Sequence, residues 1–194
     1  MKETLSRWVT KLSDYTGCNR KVAVVLFVIV VVGCCLVGYT VLSLYKNYRA
    51  ANETSVGTEF KDIEAKDKDG NILKLSDVVK SNKLTLIDFW ASWCGPCCAE
   101  MPNVKKVYAD YHDKGFEVYG VSLDEDKDAW LNAVSDLELP WIQVNDVVDS
   151  DAAGSSAYGV RFIPFTVLID QNGTIIGKKL NGEELAKKVA EILK

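Results

Sequence analysis

Two cysteines near the middle of the chain have the spacing of a redox-active pair. Cys94 and Cys97 are separated by Gly95 and Pro96, after an apolar run and at the start of a predicted helix. A Gly-Pro turn lets cysteines at positions i and i+3 close a disulfide. The positive end of the helix dipole favours a thiolate at the first cysteine. We therefore expect Cys94 to be the exposed nucleophile and Cys97 the buried thiol that resolves a mixed disulfide.

Other uses of a Cys-x-x-Cys pair fit this sequence less well. A structural zinc site needs further ligands, but there is no second Cys-x-x-Cys, and the single histidine, His112, follows fifteen residues after Cys97. Covalent haem attachment needs a histidine directly after the second cysteine, where Cys98 stands. The formal net charge of −4 provides no basic field for nucleic acid. We expect redox chemistry, with no bound metal or cofactor and no nucleic-acid partner.

The elements that must position the pair alternate between strands and helices. Residues 84–90 are nearly all apolar and rich in β-formers, which predicts a central strand covered on both faces. From about residue 95 to Gly115, apolar side chains recur at spacings of three and four, which predicts a helix. Further strands are predicted at 60–65, 72–75, 116–122, 165–169 and 174–176, an extended segment from 140, and helices at 126–137, 151–158 and 183–193. This order predicts an α/β fold with a mixed central sheet flanked by helices.

Two weaker features concern the second half of the chain. The acidic run at residues 124–128 predicts a solvated helix start. Trp130 and Trp141 are expected to pack in the core or along the wall of a groove.

An apolar segment near the N-terminus predicts a membrane anchor. Residues 22–45 contain no charged side chain, and as a helix they would span about 36 Å, more than the ~30 Å hydrocarbon core. Residues 1–45 carry five Lys/Arg against two acidic residues, all of them before the apolar segment, and only Lys46 and Arg49 follow within fifteen residues after it. The positive-inside bias then places residues 1–21 in the cytoplasm and exports everything after the span.

The exported part is expected to consist of a tether and one folded domain. Residues 46–56 are polar and aperiodic, which predicts a short tether, and residues 57–194 suffice for one ordinary core. An alternative concerns the anchor itself, because residues 31–34 resemble a bacterial lipobox with Cys34 as the lipidated residue. Apolar residues continue for ten positions after Cys34, which favours a single-pass signal anchor over a lipoprotein.

The residues around the cysteines resemble a known family. Residues 88–97, Asp-Phe-Trp-Ala-Ser-Trp-Cys-Gly-Pro-Cys, resemble the thioredoxin active site nearly letter for letter. The sequence Glu-Met-Pro at 100–102 and the run at 158–170 are similar to the exported, membrane-anchored TlpA/ResA branch of the thioredoxin superfamily. The resemblance covers about residues 57–194. It implies a thioredoxin fold and the activity of a thiol:disulfide oxidoreductase.

The resemblance also implies roles for individual side chains. Pro164 matches the cis-proline that faces the disulfide and helps to bind the backbone of the partner protein, with Trp93 and Ile163 as further substrate-binding residues. Asp88 matches the buried acid that relays a proton to or from the second cysteine. Glu100 matches the acid that tunes the thiol pair in the reductases of cytochrome maturation. These expectations make Cys94, Cys97, Asp88 and Glu100 the catalytic residues.

The direction and the partners follow from the same resemblance. Gly-Pro between the cysteines and Ile163 before Pro164 resemble the reducing members of the family more than the oxidising ones. A reductant outside the cytoplasm needs an electron supply, which implies a membrane thiol transporter as the donor. The expected clients are exported proteins with unwanted disulfides, such as apocytochrome c, and the expected location is the periplasmic face of a bacterial inner membrane.

Two other members of the superfamily remain as alternatives. Cys94-x-x-x-Cys98 is the spacing of copper-delivering relatives, which also need a histidine near the site. Cys98 lies ~100° around the helix from Cys97 and is better explained as a packed thiol. A thiol peroxidase would have threonine and proline before the cysteine, where this chain has Ala91 and Ile87.

Overall fold

The computed structural model describes residues 20–147 and 153–194 and divides the chain into two compact units. The boundary falls between Lys46 and Asn47. Helix α1 (Arg20–Glu53) contains a segment, Val24–Lys46, that is long and apolar enough to cross a membrane. The helix continues to Glu53, so most of residues 46–56 is helical and not irregular, while their role as a tether stays a prediction. An ion pair at 2.7 Å between Arg49 and Glu53, one helical turn apart, stabilises this extension.

A mixed sheet forms the centre of the second unit. Its strands, within the described residues, are β1 (Glu64–Asp67), β2 (Ile72–Lys74), β3 (Leu84–Trp90), β4 (Phe116–Ser122), β5 (Ile142–Asn145), β6 (Phe165–Asp170) and β7 (Ile175–Lys178). They are ordered β2-β1-β5-β4-β3-β6-β7. Strand β3 pairs in parallel with β4 and antiparallel with β6, and all of its residues are buried. The predicted mixed sheet with a central, doubly covered strand is confirmed.

Helices cover both faces of this sheet. They are α2 (Leu75–Ser81), α3 (Gly95–Tyr111), α4 (Lys127–Asp136), α5 (Ala153–Ala157) and α6 (Gly182–Ile192), and a 3₁₀ turn at His112–Lys114 follows α3. Apolar side chains of α3 and α6 share one core cluster with Leu86 and Trp90 of β3. Leu75 and Val79 of α2 belong to the cluster on the opposite face, with Ile87 of β3. Alternate residues of β3 therefore serve different cores, as the two-residue period of a strand requires.

The sequence-based boundaries differ from the structure mainly at the start of the domain. Helix α2 was not predicted; a strand at 72–75 was expected, with no helix directly after it. The first strand is β1 rather than residues 60–65, since Phe60 donates its backbone N–H to Gly173 in the last hairpin instead. Helix α4 agrees with prediction within one residue at each end, and Asp126 caps it by accepting backbone N–H bonds from Asp128 and Ala129.

Candidate active site

The turn between β3 and α3 places Cys94 at the amino end of the helix. Cys94 donates its backbone N–H to Ala91 at 3.1 Å, and its Sγ accepts the N–H of Cys97 at 3.2 Å, so its side chain caps α3. Pro96 occupies the first turn of the helix, where a missing N–H costs nothing. The first sulfur therefore receives both a backbone hydrogen bond and the positive end of the helix dipole.

Cys94 and Cys97 are joined in a disulfide, with their Cα atoms 5.2 Å apart. Cys97 is 1% exposed and Cys94 only 5% exposed, because both belong to the core cluster between the sheet and α3. The expectation of a buried second cysteine is met. In this disulfide form the first cysteine is less exposed than predicted, although Trp93 before it is 68% exposed.

Asp88 lies in the middle of β3 and is 4% exposed. Its side chain lies on the same face of the strand as Leu86 and Trp90, which is the face covered by α3 and therefore by Cys97. Burial, followed by the nearby charge of Glu100, raises the pKa of the Asp88 carboxyl to about 7. The site thus holds an acid that changes its protonation state near neutral pH.

Glu100, on the second turn of α3, connects that helix to α6. Its carboxylate accepts the backbone N–H of Gly182, the first residue of α6, and also accepts a side-chain bond from Asn103 at 2.9 Å. A carboxylate is favoured at the amino end of a helix. Glu100 therefore has a structural contact in addition to its effect on the pKa of Asp88.

A row of residues runs across the sheet from Asp88 and includes a buried amide. Gly120 of β4 pairs with Asp88, and Gln143 of β5 pairs with Gly120. A Cβ atom at Gly120 would lie 2.7 Å from the Gln143 amide, so glycine is required for that amide to fit. Trp90 Nε1 donates to Gln143 Oε1 at 3.1 Å. Gln143 Nε2 is buried and has no hydrogen-bond partner among the described residues.

The predicted substrate-binding residues line an open groove. The peptide bond between Ile163 and Pro164 is cis, as the resemblance implies. Trp93 and Ile163 line a groove of about 270 Å³ together with Phe162. Phe162 is 84% exposed and was not singled out from the sequence. Two large exposed aromatic side chains beside the groove are typical of a surface that contacts another protein.

Asp124 is the buried residue that sequence reasoning missed. It was expected at a solvated helix start, but it is 1% exposed. Its carboxylate accepts the Ser92 backbone N–H at 3.0 Å, the Ser92 hydroxyl at 2.6 Å and the Ser122 hydroxyl at 2.7 Å. Asp124 thereby fixes the residue two positions before Cys94. Its partners lie in other segments of the chain, so the local charge pattern gives no signal of them.

The side chains of the remaining candidate ligands, Cys98 and His112, have contacts of their own. The Cys98 thiol points towards the carbonyl oxygens of Ala91 and Ser92, at 3.9 and 3.6 Å, and burial followed by the charge of Asp124 raises its pKa. His112 ends α3, stacks on Tyr108 at 4.5 Å and contacts the Phe116 carbonyl at 3.2 Å. In residues 20–147 and 153–194, no three His, Cys, Asp or Glu side chains are grouped to hold a metal ion.

Trp130 and Trp141 are both buried in the core cluster that contains the disulfide, as predicted.

Comparison with known proteins places this geometry in a family. The sequence profile of the Redoxin family matches residues 55–193. The chain is 30% identical over 168 residues to the thiol-disulfide oxidoreductase ResA of Bacillus thuringiensis subsp. konkukian, covering 86% of this chain and 92% of that protein. It is 32% identical over 138 residues to ResA of Geobacillus thermodenitrificans, covering 71% and 75% of the two chains.

Solved structures show the same architecture. A thioredoxin domain of a thiol-disulfide oxidoreductase from Bacteroides vulgatus superposes with a TM-score of 0.67 and 31% identity, covering 72% of this chain and 99% of that domain. A thiol:disulfide interchange protein from Bacteroides sp. gives a TM-score of 0.65 and 31% identity, covering 73% and 91%. The matched fold has the thioredoxin-like arrangement that the sequence predicts.

Proposed function

The chain belongs to the Redoxin family and is a thiol-disulfide oxidoreductase of the TlpA/ResA type, and we propose that it works outside the cytoplasm as a reductant of client proteins. The observation that carries this proposal is the Cys94–Cys97 disulfide at the amino end of α3, with Cys94 Sγ accepting a backbone N–H. That position stabilises a thiolate at Cys94 in the reduced protein.

In the proposed reaction the two cysteines act in sequence. The Cys94 thiolate attacks one sulfur of the client disulfide, which forms a mixed disulfide and releases the other client sulfur as a thiolate. Cys97 then loses its proton and attacks Cys94 Sγ, which forms the Cys94–Cys97 bond and releases the second client thiolate. Two electrons pass from the protein to the client, and the released thiolates take up protons from solvent. The burial of Cys97 supports its role as the resolving thiol, since only an internal partner reaches it.

Asp88 is the proposed acceptor of the Cys97 proton. The acid lies on the α3-facing side of β3, and burial together with the charge of Glu100 brings its pKa to about 7, which suits a general base at neutral pH. Glu100 acts on the thiol pair through Asp88, because its charge adds to the rise in the Asp88 pKa. We therefore treat Glu100 as a positioning and tuning residue and Asp88 as the catalytic one.

The groove beside the cysteines is the proposed contact surface for clients. Trp93 and Phe162 are exposed, and Ile163 precedes the cis peptide bond to Pro164. An extended client segment laid along this groove would contact the two aromatic side chains while its disulfide meets Cys94.

The membrane arrangement is part of the proposal. The segment Val24–Lys46 can cross a membrane. Arg7, Lys11, Arg20 and Lys21 before it outnumber the two cations at its other end, Lys46 as its last residue and Arg49 beyond it. This asymmetry supports a cytoplasmic N-terminus and a periplasmic domain. A membrane thiol transporter would then keep the pair reduced, and exported proteins with disulfides, such as apocytochrome c, would be the clients. Lipidation at Cys34 remains the alternative form of attachment.

Two measurements test the proposal. The first is the reduction potential of the pair in defined thiol buffers, which we expect near the ~−270 mV of thioredoxin, whereas a value near ~−120 mV would make the protein a disulfide donor. The second is trapping in cells, where Cys97→Ser should accumulate mixed disulfides with exported proteins and Cys94→Ser should not. Protease accessibility of the domain in spheroplasts checks its side of the membrane. Clients trapped only from the cytoplasm would refute the periplasmic assignment.

A further inference from the structure

Two neighbouring lysines at the end of β7 bring their ammonium groups to the same aromatic ring. Lys178 Nζ lies 5.2 Å and Lys179 Nζ lies 5.6 Å from the centroid of Phe165. In a regular strand, consecutive side chains point to opposite faces. Lys179 departs from this pattern because its φ of 57° lies in the left-handed region, which residues other than glycine rarely adopt. A backbone conformation that costs stability thus brings two like charges together.

These charges lack a carboxylate partner. Among the described residues, neither lysine forms an ion pair, and Arg161, which lines the same groove, forms none either. Lys178 is half-buried and donates to Thr54 Oγ1 at 3.3 Å, which is a neutral acceptor. Burial, followed by the charge of Lys179, lowers the pKa of Lys178. An anion between these groups would remove the repulsion that lowers it.

The groove that contains these charges lies next to the proposed client-binding surface. It has a volume of about 650 Å³ and is lined by Pro164, Phe162 and the three cationic residues, among others. Phe162 and Arg161 also line the smaller groove that reaches Trp93. A polypeptide segment that contacts Trp93 and continues past the cis-proline therefore reaches the lysine pair within a few residues.

We propose that Arg161, Lys178 and Lys179 form an anion subsite that binds a carboxylate side chain of the client polypeptide, a few residues from the client disulfide. This inference rests on the proposed function, because it assigns a substrate class to the same groove. The preferred clients carry an aspartate or glutamate a few residues from their cysteines. Residues 46–194 carry a net charge of −7, but these three cationic residues make this groove positive. A client carboxylate would therefore be attracted to the groove by its local charge and not by the charge of the whole domain.

The test compares two peptides on the full chain in detergent. Both contain the same internal disulfide, and they differ only in having glutamate or glutamine a few residues from the cysteines. With the pre-reduced wild type at low salt, we expect the glutamate peptide to react about tenfold faster, the effect of one charge-assisted contact. In K178Q/K179Q that ratio should fall close to one. The matched control K187Q/K188Q removes the same charge from α6 and should keep the ratio.

Two further measurements keep the result interpretable. Lys179→Gly fits the left-handed backbone, so it should unfold at the same or a higher temperature than the wild type while it lowers the glutamate-to-glutamine ratio. Binding of the same peptides with serine in place of cysteine, measured by fluorescence anisotropy on the oxidised chain, tests the subsite without any redox step. If neither disulfide peptide reacts but the glutamate form binds more tightly, the proposed function fails and the subsite stands. Equal ratios in K178Q/K179Q and K187Q/K188Q, together with equal binding of both serine peptides, would overturn the subsite.

Discussion

Replacing Asp88 by asparagine should stabilise the oxidised protein at alkaline pH and slow its reaction. The Asp88 carboxyl is buried in the centre of β3, and its pKa rises from 3.8 to about 7 on folding. The folded state therefore holds the proton more tightly than the unfolded state. Below pH 4 Asp88 is protonated in both the folded and the unfolded state, so its raised pKa costs no stability. Between pH 4 and 7 the carboxyl ionises in the unfolded chain first, and the free energy of unfolding falls.

The size of the effect follows from the shift. A rise of about three pKa units corresponds to about 4 kcal/mol of stability lost at pH 8 relative to pH 4. Asparagine does not ionise, but it places an amide in the same buried site, which costs about 1–2 kcal/mol. We expect Asp88→Asn to be about 2–3 kcal/mol more stable than the wild type at pH 8. At pH 4 only the cost of the amide remains, and we expect the variant to be about 1–2 kcal/mol less stable.

The assay is urea unfolding of the oxidised full chain in detergent, measured at pH 4, 6 and 8. Asp113→Asn removes the same kind of charge from an exposed position and serves as the control. Its difference from the wild type should change little with pH. In parallel, the resolution of a mixed disulfide should slow in Asp88→Asn, because Cys97 loses its proton acceptor. A stability difference that stays constant between pH 4 and pH 8 would refute the raised pKa and with it the assigned role of Asp88.

Three other substitutions have effects whose sign the contacts determine. Glu100→Gln removes a charge that raises the Asp88 pKa, so the loss of stability between pH 4 and 8 should shrink in the same urea series. Asp124→Asn weakens three hydrogen bonds from two serines and should cost about 2–4 kcal/mol, seen as a lower unfolding temperature with an unchanged reduction potential. Gly120→Ala forces the Gln143 amide away from Trp90 and should cost about 1–3 kcal/mol in urea unfolding, with altered tryptophan fluorescence. An Asp124→Asn protein as stable as the wild type, or an unshifted Gly120→Ala spectrum, would contradict the respective contact.

The sequence contains strong signals for the elements that surround the disulfide. The apolar run at 84–90 specifies a strand with no exposed face, and Cys-Gly-Pro-Cys specifies the cap of the following helix, both as observed. The cis bond before Pro164 followed from the resemblance. These features are local, so residues a few positions apart are sufficient to predict them.

The features that were missed depend on distant partners or on short segments. Asp124 lies in an acidic run, and nothing near it indicates that Ser92, 32 positions earlier, will donate two bonds to it. Helix α2 has seven residues, fewer than two full turns, which is too few for a clear helical period. The extension of α1 to Glu53 contains an ion pair between Arg49 and Glu53, whereas the tether was inferred from polarity alone. Tertiary contacts and side-chain pairing decide these cases, and hydrophobic periodicity contains little information about either.

Asp88 and Lys179 are both held in states that reduce the stability of the fold, Asp88 on the sheet face covered by α3 and Lys179 in the groove that Pro164 lines. Asp88 is a buried carboxylic acid, and Lys179 has a backbone conformation that favours glycine. Such conflicts are expected where function requires them and rare elsewhere. The two assignments therefore predict the same direction of change in stability. Asp88→Asn at pH 8 and Lys179→Gly should each stabilise the fold. Each should also impair one step of the reaction, proton transfer for Asp88 and client selection for Lys179. A structural residue such as Asp124 should behave in the opposite way, so its loss should destabilise the protein and leave the preference for acidic peptides intact.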